Sequence, residues 1–179
     1  MATWVALMGS PRADGNSARA CRDFAQWVAS NRPDVELRVF EAASMNFDPC
    51  IACDICRDDY ECFRGDDADE MLDALADAEK LFVFTPVYFA GLPGVFKGLI
   101  DRFQPLFWKR LDLKAAGNDL PPKRRAAIVV FGDGEDPHGY EPAVLSMRSA
   151  FALADFAIEE VQPCIGGSIE PDFAALAGE

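Results

Sequence analysis

Met8-Gly9-Ser10-Pro11-Arg12-Ala13-Asp14-Gly15-Asn16-Ser17 is the stretch around which this 179-residue chain is organised. Upstream runs Thr3-Trp4-Val5-Ala6-Leu7, apolar β-formers without polar alternation, the pattern of a strand buried on both faces. Downstream, Ala18 to Val28 is rich in helix formers. Ser10, Arg12, Asn16 and Ser17 therefore fall in a turn between a buried strand and a helix N-terminus. Unpaired backbone N–H groups and the positive end of the helix dipole favour an anion there. The hydroxyls and the Asn amide can donate hydrogen bonds, Arg12 adds a fixed charge, and Gly9 and Gly15 are expected to supply backbone freedom. This is the chemistry of a phosphate cradle, although it is neither the Walker loop nor the dinucleotide G-x-G-x-x-G. The plainer reading is an ordinary βα turn with Asn16 or Ser17 as N-cap.

The length predicts one domain over residues 1–179, with a cysteine-rich insertion at about 41–65. A formal net charge of −13 argues against nucleic acid or an anionic membrane as partner. No apolar run approaches the ~20 residues needed to span a bilayer, and the first strand begins at once, which predicts no signal peptide and a cytoplasmic protein. In that reducing compartment, six cysteines point to metal or redox chemistry rather than structural disulfides.

The first helix should bury Ala18, Cys21, Phe24, Ala25 and Val28. Val35 to Phe40 alternates as an edge-like second strand. Asp67 to Ala78 is a helix with Met71, Leu72 and Leu75 inward and acids in its first turn. Lys80 to Phe84 is the third strand and enters Thr85-Pro86-Val87-Tyr88-Phe89-Ala90-Gly91-Leu92-Pro93, followed by a helix to about Trp108. Residues 109–125 read as a basic connector. Ala126 to Phe131 is the fourth strand, ending at Gly132-Asp133-Gly134, and a helix over 141–154 precedes a fifth strand over 157–164. Strands alternating with helices predict an α/β, doubly wound, five-stranded parallel sheet of order 2-1-3-4-5, helices on both faces. In such sheets the loops after strands one, three and four converge on one ligand.

Gly9-Ser10-Pro11-Arg12-x-x-Gly15-Asn16-Ser17 resembles the FMN-phosphate loop of the flavodoxin-like NAD(P)H-dependent FMN oxidoreductases. Thr85 to Phe89, with the downstream Leu92-Pro93, Lys97 and Ile100-Asp101-Arg102, is similar to that family's flavin-ring loop and the helix behind it. The resemblance implies FMN held through its phosphate by Ser10, Arg12, Asn16 and Ser17. Pro86, Val87, Tyr88 and Phe89 would line the ribityl chain and ring, and Gly132 and Asp133 would close the far side. The plain alternative for Tyr88 and Phe89 is core packing, and Lys97 and Asp101 read equally as a surface i,i+4 pair.

Cys50-x-x-Cys53-x-x-Cys56-x5-Cys62 is the second signal. Structural zinc favours Cys or His pairs separated by a longer loop, whereas this tight run matches cubane iron–sulfur ligation. It is similar to the iron–sulfur flavoprotein branch of the same family, which implies a [4Fe–4S] cluster beside FMN. Asp54, Asp58, Asp59 and Glu61 crowd it with negative charge, which disfavours adding an electron.

The leading expectation is an oxidoreductase in which FMN carries the chemistry and no protein acid/base residue is required. NAD(P)H is the donor the resemblance implies, its phosphates meeting basic residues in 109–125. A reduced protein carrier is the second donor, and the acceptor, small molecule or protein, is open. A non-catalytic flavodoxin-like carrier or binding module with a structural zinc at the cysteines is the alternative. The aromatic-rich helix carrying Phe96, Phe103, Phe107 and Trp108 predicts surplus apolar surface and a homodimer or homotetramer.

Overall fold

The computed structural model describes residues 1–167 and 170–178. Strands β1 (Ala2–Met8), β2 (Val35–Glu41), β3 (Lys80–Pro86), β4 (Arg124–Gly132) and β5 (Phe156–Ile165) pair in parallel in the order β2-β1-β3-β4-β5. The reason lies in the side chains. Trp4, Ala6 and Met8 of β1 project to one face and Val5 and Leu7 to the other, all fully buried. Phe82 and Phe84 against Leu81 and Val83 repeat the arrangement in β3. A strand apolar on both faces needs cover on both, and parallel crossover connections supply it with helices.

One face is covered by α1 (Asn16–Asn31) and the short α6 (Phe173–Ala177). Phe24 anchors α1, its ring 4.6 Å from Phe82 and 5.5 Å from Phe84 between centroids. Cys21 is a core residue, and burial, reinforced by Glu41, pushes its thiol up to about 12. The other face takes α2 (Asp67–Asp77), α3 (Gly94–Ile100), α4 (Gln104–Ala115) and α5 (Glu141–Leu153), through Met71, Leu75, Phe96, Leu99, Met147 and Phe151. No helix among the described residues is long and apolar enough to cross a membrane.

Three expectations change. The helix after the third loop is two helices, α3 and α4, joined by a 3₁₀ turn over Asp101–Phe103, with Pro105 in the first turn of α4, where its missing N–H costs nothing. The segment expected to be connector from residue 109 is helical as far as Ala115. Phe96 and Phe103 are core residues, 0% and 1% exposed, so the surplus apolar surface of this region reduces to Phe107 and Leu111, 40% and 45% exposed.

Candidate functional site

The α1 N-terminus has Gly15 as N-cap with no side-chain capping bond, so neither Asn16 nor Ser17 caps it. Its first-turn N–H groups therefore face the loop after β1, as a captured anion requires. Asn16 Oδ1 instead accepts from Arg19, and Arg22 donates to the Ala13 carbonyl at 2.8 Å, tying the loop to the helix. Ser10, 3% exposed, folds the loop on itself: its Oγ accepts from the Arg12 N–H at 3.1 Å and donates to the Arg12 carbonyl at 3.2 Å. Arg12 extends outward, 70% exposed, with only a 4.0 Å approach to Asp14.

The glycines serve differently from expectation. Neither Gly9 nor Gly15 adopts positive φ. A Cβ on Gly9 would stand 2.5 Å from the Phe96 ring and 2.8 Å from Thr85 Oγ1, so Gly9 lets β1 end flush against α3 and β3. Gly15 has ordinary room, its nearest neighbours at 3.5 Å.

Nine of the ten residues singled out from sequence meet in one cleft of about 680 Å³: Ser10, Arg12, Asn16, Ser17, Pro86, Val87, Tyr88, Gly132 and Asp133, the exception being Phe89. Phe89 lines an adjoining, more apolar cavity of about 700 Å³ that shares Val87, Tyr88, Gly132 and Asp133. Core packing of the aromatic pair is excluded, because Tyr88 is 41% and Phe89 100% exposed. Phe89 and Ala90 form the centre of a two-residue turn closed by two 2.9 Å bonds between Tyr88 and Gly91, both central residues at positive φ. Left-handed backbone on non-glycine residues costs of order 1 kcal/mol each. Sequence reasoning passed over Arg19 and the Gly166-Gly167 pair, which also line the first cleft. Gly166 donates to the Gly132 carbonyl at 3.0 Å, linking the loops after β4 and β5. A double glycine just past an apolar strand was the available signal.

The basic residues expected to meet a dinucleotide do not reach the cleft. Arg124 and Arg125 open β4, and the cleft lies at its other end, eight steps or about 26 Å away. Arg124 is spent on the Leu75, Ala76 and Ala154 carbonyls, and Arg110 on Asp155.

The cysteines form a second site. Cys50, Cys53, Cys56 and Cys62 line one small cleft together with Arg64 and Arg102. Burial pushes the Cys56 thiol up, a backbone hydrogen bond opposes this, and the Cys62, Cys50 and Cys53 charges add to the rise, as their convergence requires. The Ala52 N–H points to Cys50 Sγ at 3.4 Å. Ala52, Asp54 and Tyr60 hold positive φ, so strained backbone curls the segment around the thiols. No three His, Cys, Asp or Glu side chains among the described residues stand in place to share one metal ion.

Polar cross-links pin the cysteine-rich segment to the rest of the chain. Arg102, 1% exposed, donates to the Asp48 carbonyl at 3.0 Å, Asp66 Oδ2 at 2.7 Å and Asp69 Oδ1 at 3.2 Å. Asp66 and Asp69 also cap α2 reciprocally. Arg64 pairs with Asp48 at 2.6 Å, and Tyr60 donates to Asp112 at 2.9 Å. Burial pushes the Asp66 carboxyl up, but the Arg102 hydrogen bond and charge outweigh it and hold it below the usual range. Arg102 loses to burial and gains from Asp66, Cys62 and Asp69, and stays protonated above its ordinary value.

A doubly wound parallel sheet of this strand order, whose carboxyl-end loops and open helix N-terminus face one elongated cleft, defines a protein of flavodoxin-like fold. More narrowly, the chain belongs to the NADPH-dependent FMN reductase family, which residues 2–161 match. An iron–sulfur flavoprotein of Methanocaldococcus jannaschii is 32% identical over 57% of this chain and 52% of its own length. Another, from Archaeoglobus fulgidus, is 29% identical over 96% of this chain and 80% of its own length. The chain thus spans about half the length of the first relative. Among solved structures, an azoreductase from Bacillus anthracis superposes with a TM-score of 0.63 at 16% identity, covering 92% of this chain and 86% of that one, which shows the shared fold.

Proposed function

We propose that this chain is an FMN-dependent oxidoreductase of the iron–sulfur flavoprotein kind, passing electrons from NAD(P)H or a reduced protein carrier to an acceptor that remains to be identified. The observation that carries the reading is the uncapped α1 N-terminus opening onto the cleft with Ser10, Arg12 and Ser17 around it. Bound there, FMN would supply hydride and single-electron chemistry. The chain's own part is binding and orientation. First-turn N–H groups and Arg12 hold the phosphate, Pro86 and Val87 flank the chain behind it, and Tyr88, Phe89, Gly132 and Asp133 border the ring. One terminal phosphate fits the cradle, and no glycine fingerprint for an adenylate half is present, so the flavin is FMN rather than FAD. The donor meets the ring over the adjoining cavity, not over residues 109–125.

Cys50, Cys53, Cys56 and Cys62 would hold a [4Fe–4S] cluster. Four thiols lining one cleft at this tight spacing suit a polynuclear centre in which each sulfur binds a different iron. Ile51, Ile55 and Phe63 are 62%, 53% and 53% exposed beside this cleft, and with Phe107 and Leu111 they form the surface on which a homodimer or homotetramer would assemble.

Anaerobic purification followed by flavin, iron and sulfide analysis tests the reading. FMN with four irons per chain is expected, and Cys53→Ala should keep the flavin and lose the iron. FAD, or a protein without flavin, rejects the first part, and zinc in place of iron rejects the second.

A further inference from the structure

Arg102 does more than pin a loop. Its two terminal nitrogens are committed to Asp66, Asp69 and the Asp48 carbonyl. Its side nitrogen is not: Nε is buried and has no hydrogen-bond partner among the described residues. A buried N–H on a charged group that finds no acceptor forfeits its hydration without return, so such groups are few and call for an explanation. The same residue lines the cleft of the four cysteines, and Cys62 is among the charges that act on its guanidinium.

The surroundings make that cation consequential. Asp54 lines the cleft, and Asp58, Asp59 and Glu61 follow within the cysteine segment. Arg64, the other cation of the cleft, is engaged with Asp48, and Arg57 lies over the Trp108 ring at 4.9 Å. Arg102 is thus the buried positive charge closest to the requirements of a sulfur ligand: dry, fixed by carboxylates on its far edge, and carrying an open donor. Hydrogen bonds to sulfur and nearby positive charge both stabilise the electron added on reduction.

We propose that Arg102 donates its Nε–H to a sulfur of the cluster held by Cys50, Cys53, Cys56 and Cys62, and thereby raises the cluster's reduction potential against the surrounding carboxylates. The inference rests on the iron–sulfur reading of the cysteines. Arg102 is a positioning and tuning residue; it ligates no iron. Its α2 carboxylates hold the guanidinium in place, so one interaction set orders the segment and aims the donor.

The test uses anaerobically prepared protein with its full iron and sulfide. Arg102→Lys keeps a cation for Asp66 but removes the side-facing N–H. Dithionite titration followed by electron paramagnetic resonance should show the one-electron reduction equilibrium of this variant shifted about tenfold toward the oxidised cluster, about 59 mV lower. Wild-type protein grown with ¹⁵N-arginine should show, in pulsed resonance of the reduced cluster, a coupling to one arginine nitrogen that disappears in Arg102→Lys. An iron-loaded variant with the wild-type potential overturns the proposal, and so does a wild-type cluster without arginine coupling. Should Arg102→Lys fail to hold iron, the wild-type coupling decides alone. Wild-type protein with flavin but no iron or sulfide overturns the cluster reading itself, and this inference with it, an outcome distinct from the other two. A role confined to loop anchoring would leave the potential unmoved and the wild-type cluster without arginine coupling.

Discussion

The two clefts are built by opposite means. The one after β1, β3, β4 and β5 is made largely of backbone: an open helix N-terminus, tight turns, and loops that begin where rigid strands end. The cysteine cleft is made of side chains, and its segment is fastened to α2 and to the end of α3 by charged hydrogen bonds. Five of the six non-glycine residues at positive φ among the described residues fall at these two places, Ala52, Asp54 and Tyr60 at one and Phe89 and Ala90 at the other. Strain is tolerated where the surroundings over-determine the chain, and here a strand end does so in one case and a buried arginine in the other. Helix α3 touches both regions: Phe96 packs beneath Gly9, and Gly98 leaves room for Pro49, which a Cβ would meet at 3.1 Å.

The largest expected effect comes from removing the fastening. Arg102→Ala leaves the half-buried Asp66 without its cation and should cost about 3 kcal/mol in urea unfolding, the lower end for a broken buried pair. If the contrast between the regions is right, flavin affinity in the still-folded fraction stays near that of the wild type, and an unchanged unfolding midpoint would break it. Gly9→Ala strikes the backbone-built region instead. Its methyl must displace the Phe96 ring, so overpacking of about 1–3 kcal/mol is expected with weakened FMN binding, while Gly15→Ala should be nearly silent. Equal effects at the two glycines would remove the close-approach argument.

Arg12→Ala should raise the FMN dissociation constant about tenfold, near the lower end of a charge-assisted contact because the side chain is mostly exposed. Thermal stability should not change, and fluorescence titration beside a melting curve separates the two. The smallest effect is on pH dependence. Asp66 titrates below its ordinary 3.8, so its stabilisation is fully present above that pH and is lost as pH falls through the folded value. Asp66→Asn should flatten the acid limb of unfolding below about pH 4 and leave the profile above pH 5 unchanged in shape. A steeper acid limb in the variant would contradict the pairing with Arg102.

Much of this was legible along the chain. Runs such as Val5-Ala6-Leu7 and Leu81-Phe82-Val83 can only be central parallel strands, and they set the sheet order and the end at which loops converge. The Cys50 to Cys62 spacing was legible too, because a short segment keeps its thiols near one another in any fold. The helical reach of α4 to Ala115 was missed because a mostly solvent-facing helix, with only Pro105 fully buried, shows little apolar periodicity, and its lysines and arginine read as a connector.

What the sequence by itself determined is local: strand burial, cysteine spacing, and the composition of the loop after β1. What only the tertiary structure decided is where charges meet. Lys123, Arg124 and Arg125 carry the same formal charge as Arg12 and Arg102, yet Arg124 and Arg125 stand at the far end of β4 and Lys123 directly precedes them. Arg102 reaches Asp48 and Asp66 across 54 and 36 residues of chain. Hydrophobic periodicity repeats over a few residues and can be read in a window. An ion pair of this kind joins residues that become neighbours only when the sheet and its helices close, so its partners, and the donor it leaves unpaired, are settled by packing.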